Sequence, residues 1–407
     1  MPVSFLILSD IHFGRLSCSK DFALPDDSAG ELQNAVSMKA SLIEVARHEV
    51  IDAILVSGDM TSVASPAEFS GAVQAVNDIA AGCEIAQDAI FYTFGNHDTN
   101  WRICRLGEQS PEFRADGEYS RVGGEIAGLF VNNIRPTHPG PIPGSGVFER
   151  DSFELIVLNT GYYCSSEQKV KHGRLGSTQL AWLAEVLAKP KQAGKWRVVM
   201  LHHHPFNLPY PTPGLDISTL EEGAEVCALL GAGGVDIVIH GHRHHPFLTT
   251  ELKEGWSNPI TFLCAGSVAV SADHRYGGEI PNLFHVVRLE GQGPHGAATG
   301  TVKTYAYSAA AGWMPVKRAA AVPLDGKQTF GSCATAAERQ AAMIACVQTA
   351  LAGDPGAFVP MPTYGALPLE LACMAINDLR GELHDAAAGL NCNVVGAYPE
   401  EVYLKRN

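Results

Sequence analysis

Residues 237–246 read Ile-Val-Ile-His-Gly-His-Arg-His-His-Pro, an apolar run that empties into four histidines within six positions. The segment 235–239 is short, β-branched and almost uninterrupted, the pattern of a strand buried on both faces. Gly241 then allows a turn, so His242 and His244 are set beyond the carboxyl end of that strand, where open α/β sheets carry their chemistry. This reading makes the stretch half of a metal site on an α/β fold. Taken alone, the same histidines also fit a histidine-rich surface tract, and the rest of the chain has to decide.

Other strand ends repeat the arrangement. Residues 3–8 form a β-prone run ending on Ser9-Asp10-Ile11-His12-Phe13-Gly14. Residues two apart in an extended segment share a face, so Asp10 and His12 are expected to reach one ion from extended backbone, with Gly14 turning the chain away. Leu32, Val36, Ile43 and Val50 predict a helix through 30–50, and the strand 53–56 after it ends at Ser57-Gly58-Asp59, completing a strand–helix–strand unit. Ser65-Pro66-Ala67-Glu68 is a capping box with proline at the first helical position, and Phe69, Val73, Val76 and Ile79 give the helix an apolar face. A third strand, 89–94, empties into Gly95-Asn96-His97-Asp98, and a later one, 197–201, into His202-His203-His204-Pro205. Strands are also expected at 153–158, 260–265 and 283–289, with an outer strand at 301–307 and helices at 178–187 and 226–230.

Composition narrows the function classes. The 407 residues suggest one large domain with an appendage, and 46% hydrophobic with 18% charged residues is the balance of an ordinary globular protein. No run approaches the roughly 18 apolar residues a membrane helix needs. No secretory signal pattern precedes the first strand, so a soluble, cytoplasmic protein is expected. A formal net charge of −14 disfavours long nucleic acid as a partner, although bound cations would invert the field inside a cleft. Ten cysteines without a Cys-x-x-Cys pair are expected to be reduced thiols of the core.

Two regions depart from the alternation. Residues 100–150 hold Trp101, Arg102, Arg105, Arg114, Arg121 and a Pro/Gly-rich tract over 136–146, and are expected to be an irregular insertion that shapes substrate access. After a domain spanning 1–326, residues 327–407 are expected to form a small accessory helical region. A capping box at Thr335-Ala336-Ala337-Glu338 leads a helix that stops at Gly353, and a second helix covers 370–388. Met374, Ile376 and Leu379 in that helix would pack on the main body or on a second copy of the chain, making a homo-oligomer.

Asp10, His12, Asp59, Asn96, His203, His242 and His244 each follow a predicted strand. Carboxylate, imidazole and amide oxygen without thiolate suit a catalytic site for Mn, Fe, Zn, Ni or Co. Seven ligands are too many for one ion with an open position, and they suit two divalent ions that share a carboxylate. In order, Asp-x-His, Gly-Asp, Gly-Asn-His-Asp, His-x-Pro and Gly-His-x-His make the chain resemble the calcineurin-like metallophosphoesterase superfamily over about residues 3–290. The blocks are jointly specific though each is short. The resemblance implies a two-sheet β-sandwich flanked by helices, with Asp10, His12 and His244 on one ion, Asn96, His203 and His242 on the other, and Asp59 bridging. It makes His97 the catalytic residue that holds no metal. His203 fits His-x-Pro, with His202 as the alternative, and Asp98 is a local orienter; His204, His240 and His245 are assigned no metal.

Two such ions hold a bridging water as hydroxide near neutral pH and neutralise phosphate oxygens for in-line attack, while His97 stabilises developing charge or protonates the leaving alkoxide. Met60-Thr61-Ser62-Val63 after Asp59 lacks the tyrosine of purple acid phosphatases and the Gly-Asp-x-Val-Asp-Arg-Gly string of Ser/Thr protein phosphatases. Gly173-x-Leu175, Gln179 and Trp182-Leu183 are most similar to the small-molecule branch with class III cyclic-nucleotide phosphodiesterases and glycerophosphodiesterases. The expectation is a phosphodiesterase acting on a small diester, 3′,5′-cyclic nucleotides first. The alternatives are another phosphoesterase (a phosphomonoesterase, glycerophosphodiesterase or nuclease) and a metal-binding regulatory module without turnover.

Overall fold

A computed structural model describes residues 1–27, 36–99, 135–163, 172–206, 218–274, 280–293, 296–317, 324–331, 336–353, 358–362, 376–396 and 402–406. The first strand, β1 (Val3–Leu8), is buried at all six positions. Phe5 and Ile7 face one core while Leu6 and Leu8 face another, which is why the run is apolar on both sides of its alternation. Parallel to it lies β2 (Ala53–Val56), and parallel to that β3 (Ile90–Tyr92).

The second sheet begins with β4 (His138–Pro139), β5 (Gly146–Glu149) and β6 (Phe153–Val157). It continues through β7 (Trp196–Met200), β8 (Ile237–His240), β9 (Pro246–Glu251) and β10 (Ile260–Ala265), in the order β4-β5-β6-β7-β8-β10-β9. Strands β6, β7, β8 and β10 run parallel. The first sheet is completed by antiparallel β11 (Leu283–Gln292), β12 (Ala298–Ser308), β13 (Gly312–Pro315) and β14 (Lys327–Phe330), in the order β13-β12-β11-β1-β2-β3 with β14 also on β12.

The two sheets share one apolar core that includes Phe5, Leu55, Phe91, Phe153, Val198 and Ile239. Phe153 meets Phe5 edge-on at 5.1 Å and Phe91 at 6.0 Å. Helices α1 (Met38–Ala46) and α2 (Pro66–Gly82) cover the outer face of the first sheet, and α3 (Gly176–Leu187) and α4 (Gly223–Ala232) that of the second. The expected sandwich flanked by helices is thus present. In the capping box of α2, Glu68 N–H donates to Ser65 Oγ at 3.2 Å and Ser65 N–H to Glu68 Oε2 at 3.1 Å.

The structure corrects several expectations. Helix α1 begins only after its Ser37 cap and buries Met38, Leu42 and Ala46, a four-residue repeat that leaves Val36 and Val50 exposed; Leu32 lies outside the described residues. The strand expected at 301–307 is not outermost, since β13 and β14 lie against it. The Pro/Gly-rich tract contains β4 and leads into β5, which extends the second sheet; Trp101, Arg102, Arg105, Arg114 and Arg121 lie outside the described residues.

The C-terminal region is more than helical. Besides α5 (Ala336–Gly353) and α6 (Ile376–Gly389) it holds β15 (Phe358–Pro360), β16 (Cys392–Gly396) and β17 (Val402–Arg406), an antiparallel sheet ordered β15-β17-β16 over its own apolar cluster. Its strands are too short to stand out from sequence periodicity, and β14, at its expected beginning, belongs to the first sheet. The side chains of Met374, Ile376 and Leu379 lie outside the described residues. Cys18, Cys83, Cys227, Cys264, Cys346 and Cys392, the described cysteines, are free thiols. Among the described residues no helix is long and apolar enough to cross a membrane.

Candidate metal centre

Because β1, β2 and β3 are parallel, and β7 and β8 likewise, the loops after them leave each sheet at one edge. Asp10, His12, Asp59, Asn96, His202 and His203 are buried there, and His242 and His244 are partly buried. Two groups of side-chain donors converge: Asp10, His12, Asp59 and His244, and Asp59, His202 and His242, each with ligand atoms within 4.8 Å of one another. Asp59 belongs to both. His203 belongs to neither, so the alternative, His202, is the histidine that the geometry brings to the shared carboxylate.

The loops reach these positions through strained backbone. Asp10, His12, Asp59, His242 and His244 have φ of 50°, 48°, 49°, 76° and 52°, left-handed values that cost a residue with a side chain roughly 1–3 kcal/mol each. Asp10 and His12 therefore share a site through two left-handed turns and not through extended alternation. Backbone bonds lock the turns: Asp10 N–H donates to Gly58 O at 3.0 Å and His12 N–H to Asp59 O at 2.9 Å, lacing the loop after β1 to the loop after β2.

The glycines of the blocks serve close approach. A Cβ on Gly95 would stand 2.1 Å from Asp59 Oδ1, and one on Gly241 2.3 Å from Asp10 Oδ2. Asp98 accepts from Gly95 N–H at 3.0 Å, Met60 N–H at 3.2 Å and Thr61 N–H at 3.0 Å, which ties two of the loops together. Burial and the neighbouring Asp59 charge push its carboxyl up to about 7.

Hydrogen bonds select the imidazole nitrogens. His202 Nδ1 lies 2.8 Å from Ser57 O and His244 Nδ1 2.7 Å from His274 O. A carbonyl only accepts, so each Nδ1 carries the proton and each Nε2 presents its lone pair. Nε2 of His202 lies 3.1 Å from Asp59 Oδ2, and Nε2 of His244 lies 3.2 Å from Asp10 Oδ1 and 3.1 Å from His12 Nε2. Two nitrogens bound to one ion at about 2.1 Å, roughly at a right angle, stand about 3 Å apart. Burial first, then adjacent histidines, holds His12 and His242 well below the ordinary imidazole range, in the neutral form that binds metal. Burial opposes charge on Asp59, but His202 and His97 beside it hold the carboxyl well below its usual range. This donor set fits divalent ions.

Asn96 and His97 occupy a short turn, Asn96–Asp98, after β3. His97 N–H donates to Asp59 Oδ1 at 2.8 Å, which sets the turn against the shared carboxylate. His97 Nδ1 lies 3.0 Å from Ser62 O and its ring is 4.7 Å from that of His12. His204, His240 and His245 are also buried, and form part of neither convergent group. Sequence reasoning missed the carbonyls of Ser57 and His274, which no side-chain pattern marks. It also missed Thr160, whose Oγ1 lies 2.8 Å from His203 Nδ1.

The family model for calcineurin-like phosphoesterases matches residues 3–246. The chain belongs to this metal-dependent family, and all the candidate ligands fall within the matched span. No curated protein matches the sequence. Among solved structures, a purple acid phosphatase from yellow lupin (Lupinus luteus) seeds is similar at 13% identity and a TM-score of 0.49, over 82% of this chain and 57% of the lupin protein. A dimetal phosphatase from Danio rerio is similar at 14% identity and a TM-score of 0.40, over 74% of this chain and 95% of that protein.

Proposed function

We propose that the chain is a binuclear-metal phosphodiesterase that hydrolyses a small phosphodiester, 3′,5′-cyclic nucleotides first. The observation that carries this reading is the pair of convergent ligand groups joined by Asp59. Asp10, His12 and His244 would hold one divalent ion, Asn96, His242 and His203, or His202 in its place, the other, and Asp59 both. Mn, Fe, Zn, Ni and Co all suit this donor set. When bound, the ions supply a nucleophilic water and neutralise phosphate oxygens.

The chain's own residues orient and move protons. Ser62 O holds His97 Nδ1–H, and Nε2 of that ring would exchange a proton with the leaving alkoxide. Ser57 O and His274 O hold the ligand imidazoles in one tautomer. The diester and cyclic-nucleotide preference rests on the short Met60-Thr61-Ser62 segment after Asp59 and on the Gly173, Leu175 and Gln179 block. In the structure Gln179 brackets Asn159, accepting its N–H at 2.9 Å and donating to its carbonyl at 3.1 Å.

The test is a panel of cyclic nucleotides, glycerophosphodiesters, phosphomonoesters and oligonucleotides, with a bis-aryl phosphate as reporter, assayed on metal-loaded protein. Metal-dependent turnover with a cyclic nucleotide preferred is expected. A preference for monoesters or oligonucleotides moves the protein to another phosphoesterase class. No hydrolysis with any of the five metals refutes the enzyme and leaves a metal-binding module.

A further inference from the structure

The Pro/Gly-rich tract holds none of the candidate metal ligands, yet it encloses a cleft of its own. Strand β3 ends the first sheet, so its outer edge has no partner among the described strands. The tract runs past that edge with prolines at 136, 139, 141 and 143, which have no N–H to offer a sheet, and it stands off instead of pairing. The gap has a volume of about 310 Å³, at the lower end of the range for small-molecule sites. Phe91 and Phe94 on one side, with Ile142 and Phe148 on the other, make its apolar wall.

Hydrogen bonds fix the walls. Gly140 N–H donates to Ser145 O at 3.0 Å and Asn159 Nδ2–H to Pro143 O at 2.8 Å, which holds the turn of the tract in place. Three polar side chains line the cleft. Ser145 is engaged with Ile142, its hydroxyl donating to the carbonyl at 2.7 Å. Tyr92 is only 8% exposed, and its hydroxyl makes no hydrogen bond among the described residues. Burial holds that phenol well above its ordinary range, so it keeps its proton and can only gain by donating it. Arg135 is exposed at the rim and forms no ion pair among the described residues. A buried hydroxyl without an acceptor is costly, and it calls for a partner that arrives with a ligand. An apolar slot with a phenol donor and a cation, and with no acidic side chain in its lining, is complementary to a flat molecule that carries a negative charge at one end.

We propose that this cleft binds a small aromatic carboxylic acid, its rings held between the phenylalanines and the proline rings and its carboxylate accepting from the Tyr92 hydroxyl and facing Arg135. The site shares no candidate ligand with the metal centre and does not depend on the phosphodiesterase reading.

The test uses the full chain loaded with manganese, in saturating inorganic phosphate so that a carboxylate does not bind at the ions instead. 2-Naphthoate and its uncharged counterpart 2-naphthamide are titrated calorimetrically against the parent, Tyr92→Phe and Arg135→Ala. Tyr92→Phe keeps the ring and Arg135 is exposed, so neither change removes core packing. Saturable binding of 2-naphthoate with a Kd below about 1 mM is expected, from the efficiency per atom of ligands of this size. Tyr92→Phe should weaken it about tenfold, through loss of a hydrogen bond to a charged group. Arg135→Ala should weaken the acid about twofold to fivefold, the range of an exposed ion pair, and leave the amide unchanged. Absence of saturable binding overturns the proposal. Parent-like affinity in both variants overturns it too, by placing the probe elsewhere, and an amide that binds the parent as tightly as the acid overturns the carboxylic-acid class on which it rests.

Discussion

His285 ties the two sheets together, and acid should untie them. It is fully buried on β11, with Nε2 2.7 Å from Ala265 O on β10 of the other sheet and Nδ1 3.0 Å from Thr304 Oγ1. Two residues beyond Ala265, Ser267 Oγ–H donates to Asp10 O at 2.7 Å, so the tie lies beneath the first ligand group. Burial pushes the His285 imidazole down to about 4 from its ordinary 6.5. The folded chain thus refuses a proton that the unfolded chain accepts, so the stabilisation is complete above pH 6.5 and is lost as pH falls towards about 4. That displacement corresponds to about 3 kcal/mol, a large share of the roughly 5–15 kcal/mol that stabilises a typical domain. His285→Gln keeps a donor and an acceptor but does not titrate. At pH 8 it should be less stable than the parent by about 1–3 kcal/mol through imperfect hydrogen bonds. At pH 4.5 the gap should close or invert, because the parent has by then lost most of the linked stability. Urea unfolding of both chains at the two pH values, with chelator present so that metal binding does not enter, measures the difference. A gap that does not change between them refutes the reasoning.

Three further outcomes follow from the site. His97→Ala should leave metal content unchanged and lower turnover about 10²–10⁴-fold, the range for a lost general acid or base; equal activity on a bis-aryl phosphate would sink that assignment. Gly95→Ala drives a methyl into Asp59, so metal per chain, measured by mass spectrometry, should fall well below the parent's, and unaltered content would contradict the close approach. Chelation should lower the thermal midpoint, since an ion at about a thousand times its Kd adds about 4 kcal/mol and compensates the left-handed strain at five ligands; a midpoint indifferent to metal would show that the folded chain binds none.

Short periodic signals brought out most of the two sheets because their parallel strands are apolar on both faces, as in Val3–Leu8 and Ile260–Ala265. Edge and antiparallel pieces such as β9, β13 and β15–β17 were not legible, since strands of three to six residues carry little periodicity of their own. At the site, residue type and position beyond a strand mark Asp10, His12, Asp59, Asn96, His203, His242 and His244 as candidate donors. Metal chemistry requires those donors whatever the backbone does.

The choice among the consecutive His202, His203 and His204 could not come from composition, since all three are the same side chain on one strand end. Tertiary structure gives them different contacts. Ser57 O orients His202 towards Asp59, while His203, with Thr160 and Gly173 against it, has its ring 4.3 Å from that of His242. The means by which the ligands meet also lay beyond the sequence. Left-handed φ at residues with side chains is disfavoured locally, and it persists here because hydrogen bonds from neighbouring loops over-determine it. Sequence determined which atoms are available to hold ions and phosphate. Only the packing of the two sheets determined which atoms face one another, because orientation depends on partners hundreds of residues away.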